Sequence, residues 1–520
     1  MPQDEAVYGV RARWMLESGD WVTPQSWDEL VYEKTPGPYW WLAASYTLFG
    51  ISEVTSRLPN LLASILSALL TYEIGAILLN RRIAWLASAI LSVSFLWTQG
   101  SRLATANIPM VSVALLGVWC LLKAELHPKY RSFWGAAAGM SFGLGFLIRG
   151  QMIFLPMTGL LPYLIFQHRR HRHLSNPMFY LGFVVGLIPT LGWFWISYLR
   201  YGMVPFEQFF ALVSRIASEH RNGNSPLFYL WNIPVKAFPW PFFSVLGLIL
   251  ALRHPIPRYQ LILVACPLII LTEISLVSTR LPHYALVTYP FMAILAAVGV
   301  DWLGSIYQNK VEARKWLPRS LSYAFGGLGC LLVMAGMAIY TGIGIPDASL
   351  DLEIRKYGAV ALVLGLGWLT LPVMWIARHR GKTFLTYRYW LAGWLVGPWL
   401  AIAVAGYTGL LGNYSPDVKV FLQQPAIATV LQNHSINFVV QQTEALKTGG
   451  DKTLLLLTFY TPHLGHRFKN VSELQASSYA WVSPEPTVES SSGYRHLATF
   501  RKWQLIQALQ TKKHFNNNHR

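Results

Sequence analysis

The chain has 520 residues, 53% hydrophobic and only 13% charged, with a mean hydropathy of +0.35. That balance excludes an ordinary soluble domain, and 22 tryptophans, 40 glycines and 30 prolines fit membrane helices, which tolerate Gly and Pro and carry Trp at their interfaces. The net charge of +18 does not point to nucleic acid, because Lys and Arg recur between apolar stretches and form no single basic stripe with interleaved aromatics.

The first fifty residues crowd charge ahead of the apolar body: Asp4-Glu5-Ala6-Val7-Tyr8, then Tyr32-Glu33-Lys34-Thr35-Pro36. Charge beside so hydrophobic a body is expensive unless it is used. Two acids and a cation at a membrane surface suit chemistry on a lipid-borne anion, which favours an enzyme over a passive membrane body. Ala6, Val7, Val10, Trp14 and Met15 recur at helical spacing, with Gly19 as the stop. Pro36-Gly37-Pro38 turns into an aromatic run from Tyr39 to Gly50. At roughly twelve residues it is too short to span and reads as an interfacial helix. Both helices are expected to lie flat at headgroup level and hold Asp4, Glu5, Glu33 and Lys34 above a bundle.

Twelve apolar stretches follow, at 57–79, 83–100, 104–122, 132–148, 150–167, 178–199, 236–252, 259–278, 283–304, 321–344, 357–377 and 389–411. Alternate junctions carry the basic residues: Arg81-Arg82; Lys123, Lys129 and Arg131; Arg169-Arg170 and Arg172; Arg253 and Arg258. The set continues with Lys310, Arg314, Lys315 and Arg319, then Arg378, Arg380, Lys382 and Arg388. By the positive-inside rule these loops are cytoplasmic, which puts the N-terminal segment, the 200–235 loop and the C-terminal part on the outer side. The N-terminal segment would then cross with no span or signal peptide ahead of it. A first helix missing before Met1 is the expected explanation, with a natural N-out tail as the alternative. Cys120, Cys266 and Cys330 lie inside apolar stretches, unpaired and without metal-ligand spacing, so neither a disulfide framework nor a cysteine-rich zinc site is expected.

Beyond Gly412 the composition turns polar and no further span occurs. Val418–Gln432 reads as a helix, and 437–441, 452–459 and 479–482 as strands, giving a small α/β domain over 413–520 whose tail from Lys512 to Arg520 is expected to be disordered. Asn413, Asn433 and Asn470 match the N-glycosylation triplet, a pattern that arises often by chance. His168, His171 and His173 alternate with arginines and read as a positive-inside anchor in preference to a metal site.

Several motifs occur in a telling order: Asp4-Glu5, Gly19-Asp20-Trp21, Glu33-Lys34-Thr35-Pro36 and Tyr39-Trp40, then Glu53 with Arg57-Leu58-Pro59. Gly145-Phe-Leu-Ile-Arg149-Gly150, Phe238-Pro239-Trp240 and Thr279-Arg280-Leu281-Pro282-His283-Tyr284 follow. The ordered set resembles the GT-C type glycosyltransferases, in the branch of aminoarabinose and protein-mannosyl transferases. The resemblance implies an all-α polytopic fold of about twelve spans with interfacial helices in the first outer loop. It also implies a transmembrane glycosyltransferase domain over 1–412 and an inverting transfer from a polyprenyl-phosphate-linked sugar to an envelope lipid, glycan or protein. The expected location is the inner (plasma) membrane, with the site and the C-terminal domain outside. There are departures. An amide, Asn107, stands where the family commonly has a second aspartate; Val7 stands where a basic residue often follows the acidic pair, with Arg11 one turn later; and Arg149 and Arg280 stand for family lysines.

Transfer from a lipid phosphate needs a base for the acceptor proton and cations for the phosphate; base assistance is worth about 10²–10⁴-fold. The resemblance assigns the base to Asp4, beside Glu5; the bland reading of Asp4 is a helix N-cap. Lys34, Arg57, Arg102, Arg280 and Tyr284 are candidates for the donor phosphate, against interfacial anchoring or a weak surface ion pair. Glu33, Asn107 and His283 are candidates for the acceptor or a divalent cation; Glu33 and Lys34 are expected to diverge. Arg215, His220 and Arg221 are candidates to close over substrate. A lipid-linked-sugar transporter is the competing class, but it would place ionisable residues at the midplane and show repeated halves. An inactive scaffold is the third reading, with Asn107 and the short N-terminus as its arguments. Asp4→Asn separates the three, since transport and scaffolding would survive it.

Overall fold

A computed structural model describes residues 1–218, 225–308, 316–341, 351–380, 384–440, 451–483 and 493–509. The expectations for His220, Arg221, Lys310, Arg314, Lys315, Lys382 and the tail from Lys512 lie outside those residues. Contacts divide the chain into two units: 1–56 with 193–211 and 413–520, and 57–192 with 212–412.

The second unit is a helix bundle. Among the described residues, eight helices are long and apolar enough to cross a membrane, or ten if two bent pairs each count as one span. Each of the twelve expected stretches is largely helical among the described residues, and the smaller count has local causes. Arg81–Ser92 and Phe95–Ser101 meet at 67°, and Phe228–Lys236 and Trp240–Arg253 at 115°. Leu261–Leu276 is too short to pass, and it begins with a π-helical turn, Leu261–Ala265. The 39-residue run Pro128–Phe166 is not straight. Gly150 has φ +56°, and Ile153 packs on Gly145, eight residues back, where an unbroken helix would hold them about 12 Å apart. The chain therefore folds back at Gly150, a residue whose positive φ glycine adopts without strain.

The bundle has a centre and a rim. The Pro282–Gln308 and Asn107–Leu126 spans are mostly buried, whereas Trp316–Thr341 is mostly exposed and carries Leu331, Met334 and Met337 on its surface. An exposed apolar face on a span is what lipid contact requires. Close helix approach uses small residues: a Cβ at Gly139 would collide with the backbone of Phe179 and Phe183, on the helix that starts at Pro177.

Several of the basic junctions touch one another in this bundle. The Glu125 carboxylate, 3% exposed, takes Arg170 Nε at 3.1 Å, Arg258 Nε at 2.8 Å and the Tyr163 hydroxyl at 2.7 Å. Arg131 donates to the Arg172 carbonyl, and Arg82 pairs with Asp301 at 2.5 Å. His171 and His173 stack at 4.1 Å between two spans. His171 Nδ1 accepts the His173 backbone N–H, which leaves Nε2–H for the Tyr163 carbonyl at 3.0 Å. Burial lowers the pKa of both, that of His173 to about 3, so they stay neutral.

The first unit is α/β. Helix α1, Gln3–Ser18, ends at Gly19 with φ +70°, as expected. Its apolar stripe is present, but Glu5, Arg11 and Arg13 are buried as well, so α1 is packed on most sides within its unit. Arg13 donates to the carbonyls of Thr458, Thr461 and Pro462. Helix α2, Gly37–Phe49, keeps an exposed apolar edge in Trp41, Leu48 and Phe49, consistent with an interfacial helix. Between them a short hairpin pairs β1, Gln25–Ser26, with β2, Glu29–Leu30.

The C-terminal part forms a five-stranded sheet from β3 (Ile436–Val439), β4 (Leu464–Phe468), β5 (Tyr479–Val482), β6 (Tyr494–Phe500) and β7 (Trp503–Ala508), in the order β4-β3-β5-β7-β6. Two of the three expected strands are present; the third is corrected. Residues 452–459 are not a strand but the helix Lys452–Tyr460. Strands β3 and β4 are parallel neighbours, so the chain between them must cross over, and a helix is the usual crossover. Asp451 caps it by accepting the Thr453 N–H at 2.7 Å. The expected helix over 418–432 is two, Pro416–Leu422 and Pro425–Asn433, each started by a proline.

Candidate functional site

The site residues of the first unit gather on one face of α1. Asp4, Tyr8 and Arg11 are spaced four and three apart, which stacks them on that face. The Lys34 ammonium sits 4.5 Å above the Tyr8 ring. Arg11 donates to the Tyr39 hydroxyl at 2.8 Å and lies 3.6 Å from the Glu33 carboxylate, and the Tyr8 and Tyr39 rings are 5.6 Å apart. Glu33 and Lys34 therefore do not pair with each other; both turn onto α1, one turn apart. Pro36-Gly37-Pro38 makes this local, because it bends the chain into α2 directly after Lys34 and brings Tyr39 under Arg11.

The electrostatics follow from burial. Arg11 is 2% exposed; burial pulls its pKa down, but Tyr39 and Glu33 outweigh that and leave it above its ordinary value. It is a buried, fully charged guanidinium. Tyr39 is fully buried and its phenol is pushed up, chiefly by burial. Of the acidic pair, Glu5 is fully buried and Asp4 is exposed. The N-cap alternative for Asp4 is not realised: α1 begins at Gln3 with Pro2 as the cap residue, and no side chain caps it. Glu53 takes Lys419 Nζ at 2.8 Å, the Met1 amine at 3.3 Å and the Tyr460 hydroxyl, joining the start of the Glu53–Leu78 helix to the C-terminal part of its own unit.

The second unit collects the other candidates in two places. Asn107, Arg149, His283 and Tyr284 line one small cleft with Met110 and Leu286. Arg149 lies over the Tyr284 ring at 5.8 Å. Asn107 begins its helix after a turn fixed by Asn60, whose amide donates to the carbonyls of Leu103 and Thr105. Arg57 and Arg102 converge elsewhere, at Gly412, where a Cβ would lie 3.5 Å from a guanidinium nitrogen of each. Arg280 is 5% exposed and turned inward, with Nε donating to the Ser275 carbonyl at 2.9 Å. Arg215 lies in the Val204–Ser218 helix.

No three His, Cys, Asp or Glu side chains converge as a metal site among the described residues. The carboxylate considered for a divalent cation, Glu33, faces Arg11, and His171 spends both ring nitrogens on backbone groups. Glu33 and His171 are thus engaged within the protein. The residues that sequence reasoning missed are Tyr8, Arg11 and Tyr39 as a unit with Lys34. The signal was present, since Tyr8 and Arg11 follow Asp4 at helical spacing.

Residues 33–195 match the family model of dolichyl-phosphate-mannose-protein mannosyltransferase. A protein of Aquifex aeolicus without an assigned function is 29% identical over 388 residues, 71% of this chain and 74% of its own. The undecaprenyl phosphate-alpha-4-amino-4-deoxy-L-arabinose arabinosyl transferase of Pectobacterium carotovorum is 26% identical over 441 residues, 82% of this chain and 75% of its own. The fold matches the crystal structure of ArnT from Cupriavidus metallidurans bound to undecaprenyl phosphate, with a TM-score of 0.72 at 20% identity, over 98% of this chain and 93% of that one. The chain is a membrane glycosyltransferase, similar to the aminoarabinose transferases of GT-C type. The glycosyltransferase thus carries its candidate chemistry in three described groups: the α1 face, the Tyr284 cleft and the Arg57–Arg102 pair at Gly412.

Proposed function

We propose that this glycosyltransferase moves a sugar from a polyprenyl-phosphate carrier to a hydroxyl or amine of an envelope lipid, glycan or protein on the outer face of the inner membrane. The observation that carries this reading is the α1 face. An exposed carboxylate, Asp4, precedes by one turn an ammonium, Lys34, held over Tyr8. Asp4 takes the acceptor proton, and the acceptor oxygen or nitrogen attacks the anomeric carbon. The bond from that carbon to the phosphate oxygen breaks, and polyprenyl phosphate leaves with the electron pair. Lys34 supplies fixed positive charge for that phosphate, where preorganised charge is worth most. Within the second unit, Arg149 and Tyr284, facing each other in their cleft, and the Arg57–Arg102 pair are its own cations and donor suited to a phosphate. Arg280 has a smaller part, since its Nε is committed to Ser275.

The outer placement is supported by the basic junctions. Loops at Arg131, Arg170, Arg172 and Arg258 touch one another through Glu125 and the Arg172 carbonyl, so they share a face, and the positive-inside rule makes it cytoplasmic. The domain division stays a proposal in the same sense: 1–412 for transfer, 413–520 for an outer soluble part. The test is mass spectrometry of envelope lipids and glycoconjugates in a deletion strain complemented with wild type or with Asp4→Asn at matched membrane levels. Wild type alone should restore the missing sugar, and the variant should accumulate polyprenyl-phosphate-sugar. Equal restoration by both would remove Asp4 as the base and favour transport or a scaffold.

A further inference from the structure

We propose that Arg11 is a positioning residue: together with Tyr39 it pins the Glu33 carboxylate to α1 and so fixes the neighbouring Lys34 ammonium over Tyr8, one turn from Asp4. The inference rests on the proposed role of Lys34, but it concerns a residue outside the motifs that carry the family resemblance. A basic residue often follows the acidic pair closely; here that position is Val7, and the cation stands one turn further on, at the buried position 11.

Three observations support it. Arg11 has 3% of its side chain exposed and Glu33 11%, so they form a buried ion pair at 3.6 Å. Glu33 Oε2 is buried and has no hydrogen bond among the described residues, which leaves Arg11 as the charge that compensates it. Lys34 is the next residue in the chain, and only about 3.8 Å of backbone separates its Cα from that of Glu33, so a displacement of one moves the other. Removing one partner of a buried pair strands the other charge, and a stranded carboxylate swings toward water. Without Arg11, Glu33 would leave its place and take Lys34 off Tyr8. Arg11 itself is inside, hydrogen-bonded to a fully buried tyrosine, which suits holding the site and not holding the ligand.

The experiment compares the full-length wild type with R11M, E33Q, R11M/E33Q, R11K and K34M in lipid nanodiscs. Two readouts are taken: acylation of the Lys34 amine by a water-soluble reagent, followed by peptide mass spectrometry, and affinity for polyprenyl phosphate. R11M should raise Lys34 labelling and weaken polyprenyl phosphate binding by about tenfold, the scale of a lost charge contact. The double variant R11M/E33Q should return both readouts most of the way to wild type, because no buried charge is then stranded. R11K should be intermediate, since a single ammonium cannot serve both Tyr39 and Glu33 as a guanidinium does. Two results would overturn the proposal: wild-type labelling in R11M, or a double variant no better than R11M at an unchanged melting temperature. The second would make Arg11 a direct ligand contact. If K34M binds polyprenyl phosphate like wild type, the proposed role of Lys34 fails by itself, and the positioning inference is still decided by labelling.

Discussion

Lys34 and Arg149 are cations on aromatic rings, and the rings set how much each contributes. A ring face within about 6 Å attracts a cation by about 0.5–1 kcal/mol at exposed sites. Lys34 sits at 4.5 Å from Tyr8, in a cluster that also holds a buried Arg11–Glu33 pair; Arg149 has Tyr284 at 5.8 Å. On the proposed reading, Lys34→Met should raise the KM for the lipid donor and lower kcat together, since the charge on the departing phosphate grows in the transition state. Tyr284→Phe keeps the ring and removes only the hydroxyl. It should cost about tenfold in kcat/KM or less, as steady-state kinetics on purified enzyme would report. Asp4→Asn removes the base and should cost about 10²–10⁴-fold in kcat, with donor affinity kept.

Two elements carry stability that single substitutions can expose. Asp451 does double duty at the start of the Lys452–Tyr460 helix: it accepts the Thr453 N–H, and it accepts the buried Trp503 indole N–H at 2.7 Å. Asp451→Ala removes a cap and leaves a buried donor unpaired, so it should destabilise by about 2 kcal/mol. A fall in the melting temperature, with the spans unaffected in far-UV circular dichroism, would report it. In the bundle, Gly139→Leu has no room, because the backbone of Phe179 and Phe183 occupies that space. Overpacking of this kind costs about 1–3 kcal/mol, more when the obstacle is backbone. The variant should melt earlier in detergent than Gly327→Leu, whose site has nothing within 4 Å.

At the scale of the whole molecule the charge pattern sets an acid limit. His171 and His173 have folded pKa values below the ordinary one of about 6.5. Their stabilising contribution is present above that value and is lost as pH falls below it, because the unfolded chain then binds protons that the folded one does not. Asp20 and Asp417 act lower down. Burial would raise Asp20, but hydrogen bonds from Thr23, Val22 and Arg200 outweigh it; Asp417 is held low against burial by Arg501. Their contribution disappears as pH drops through the ordinary carboxylate range and below. The melting temperature should therefore fall between pH 7.5 and 5.5, and His173→Gln should reduce that particular drop; an equal drop in the variant would assign it elsewhere.

Much of this was legible from residue order. Span positions needed only apolar length, because lipid tolerates backbone only as satisfied helix, and the contact among the junctions around residues 125–131, 170–172 and 258 follows their alternation along the chain. The glycosyltransferase motifs were readable because their residues lie close in sequence. Three things depended on the tertiary structure. The run at 452–459 is apolar without alternation, so its period says nothing; the parallel pairing of β3 with β4 makes it a helix. Breaks near residues 93, 150 and 238 shortened the expected spans, and a break is set by local packing such as Ile153 on Gly145. The Arg11–Tyr39–Glu33 unit joins a helix to a turn more than twenty residues later. Spacing in sequence fixes which residues share a face of α1, but what meets that face is decided only when the Pro36-Gly37-Pro38 bend folds Tyr39 beneath Arg11 and buries both.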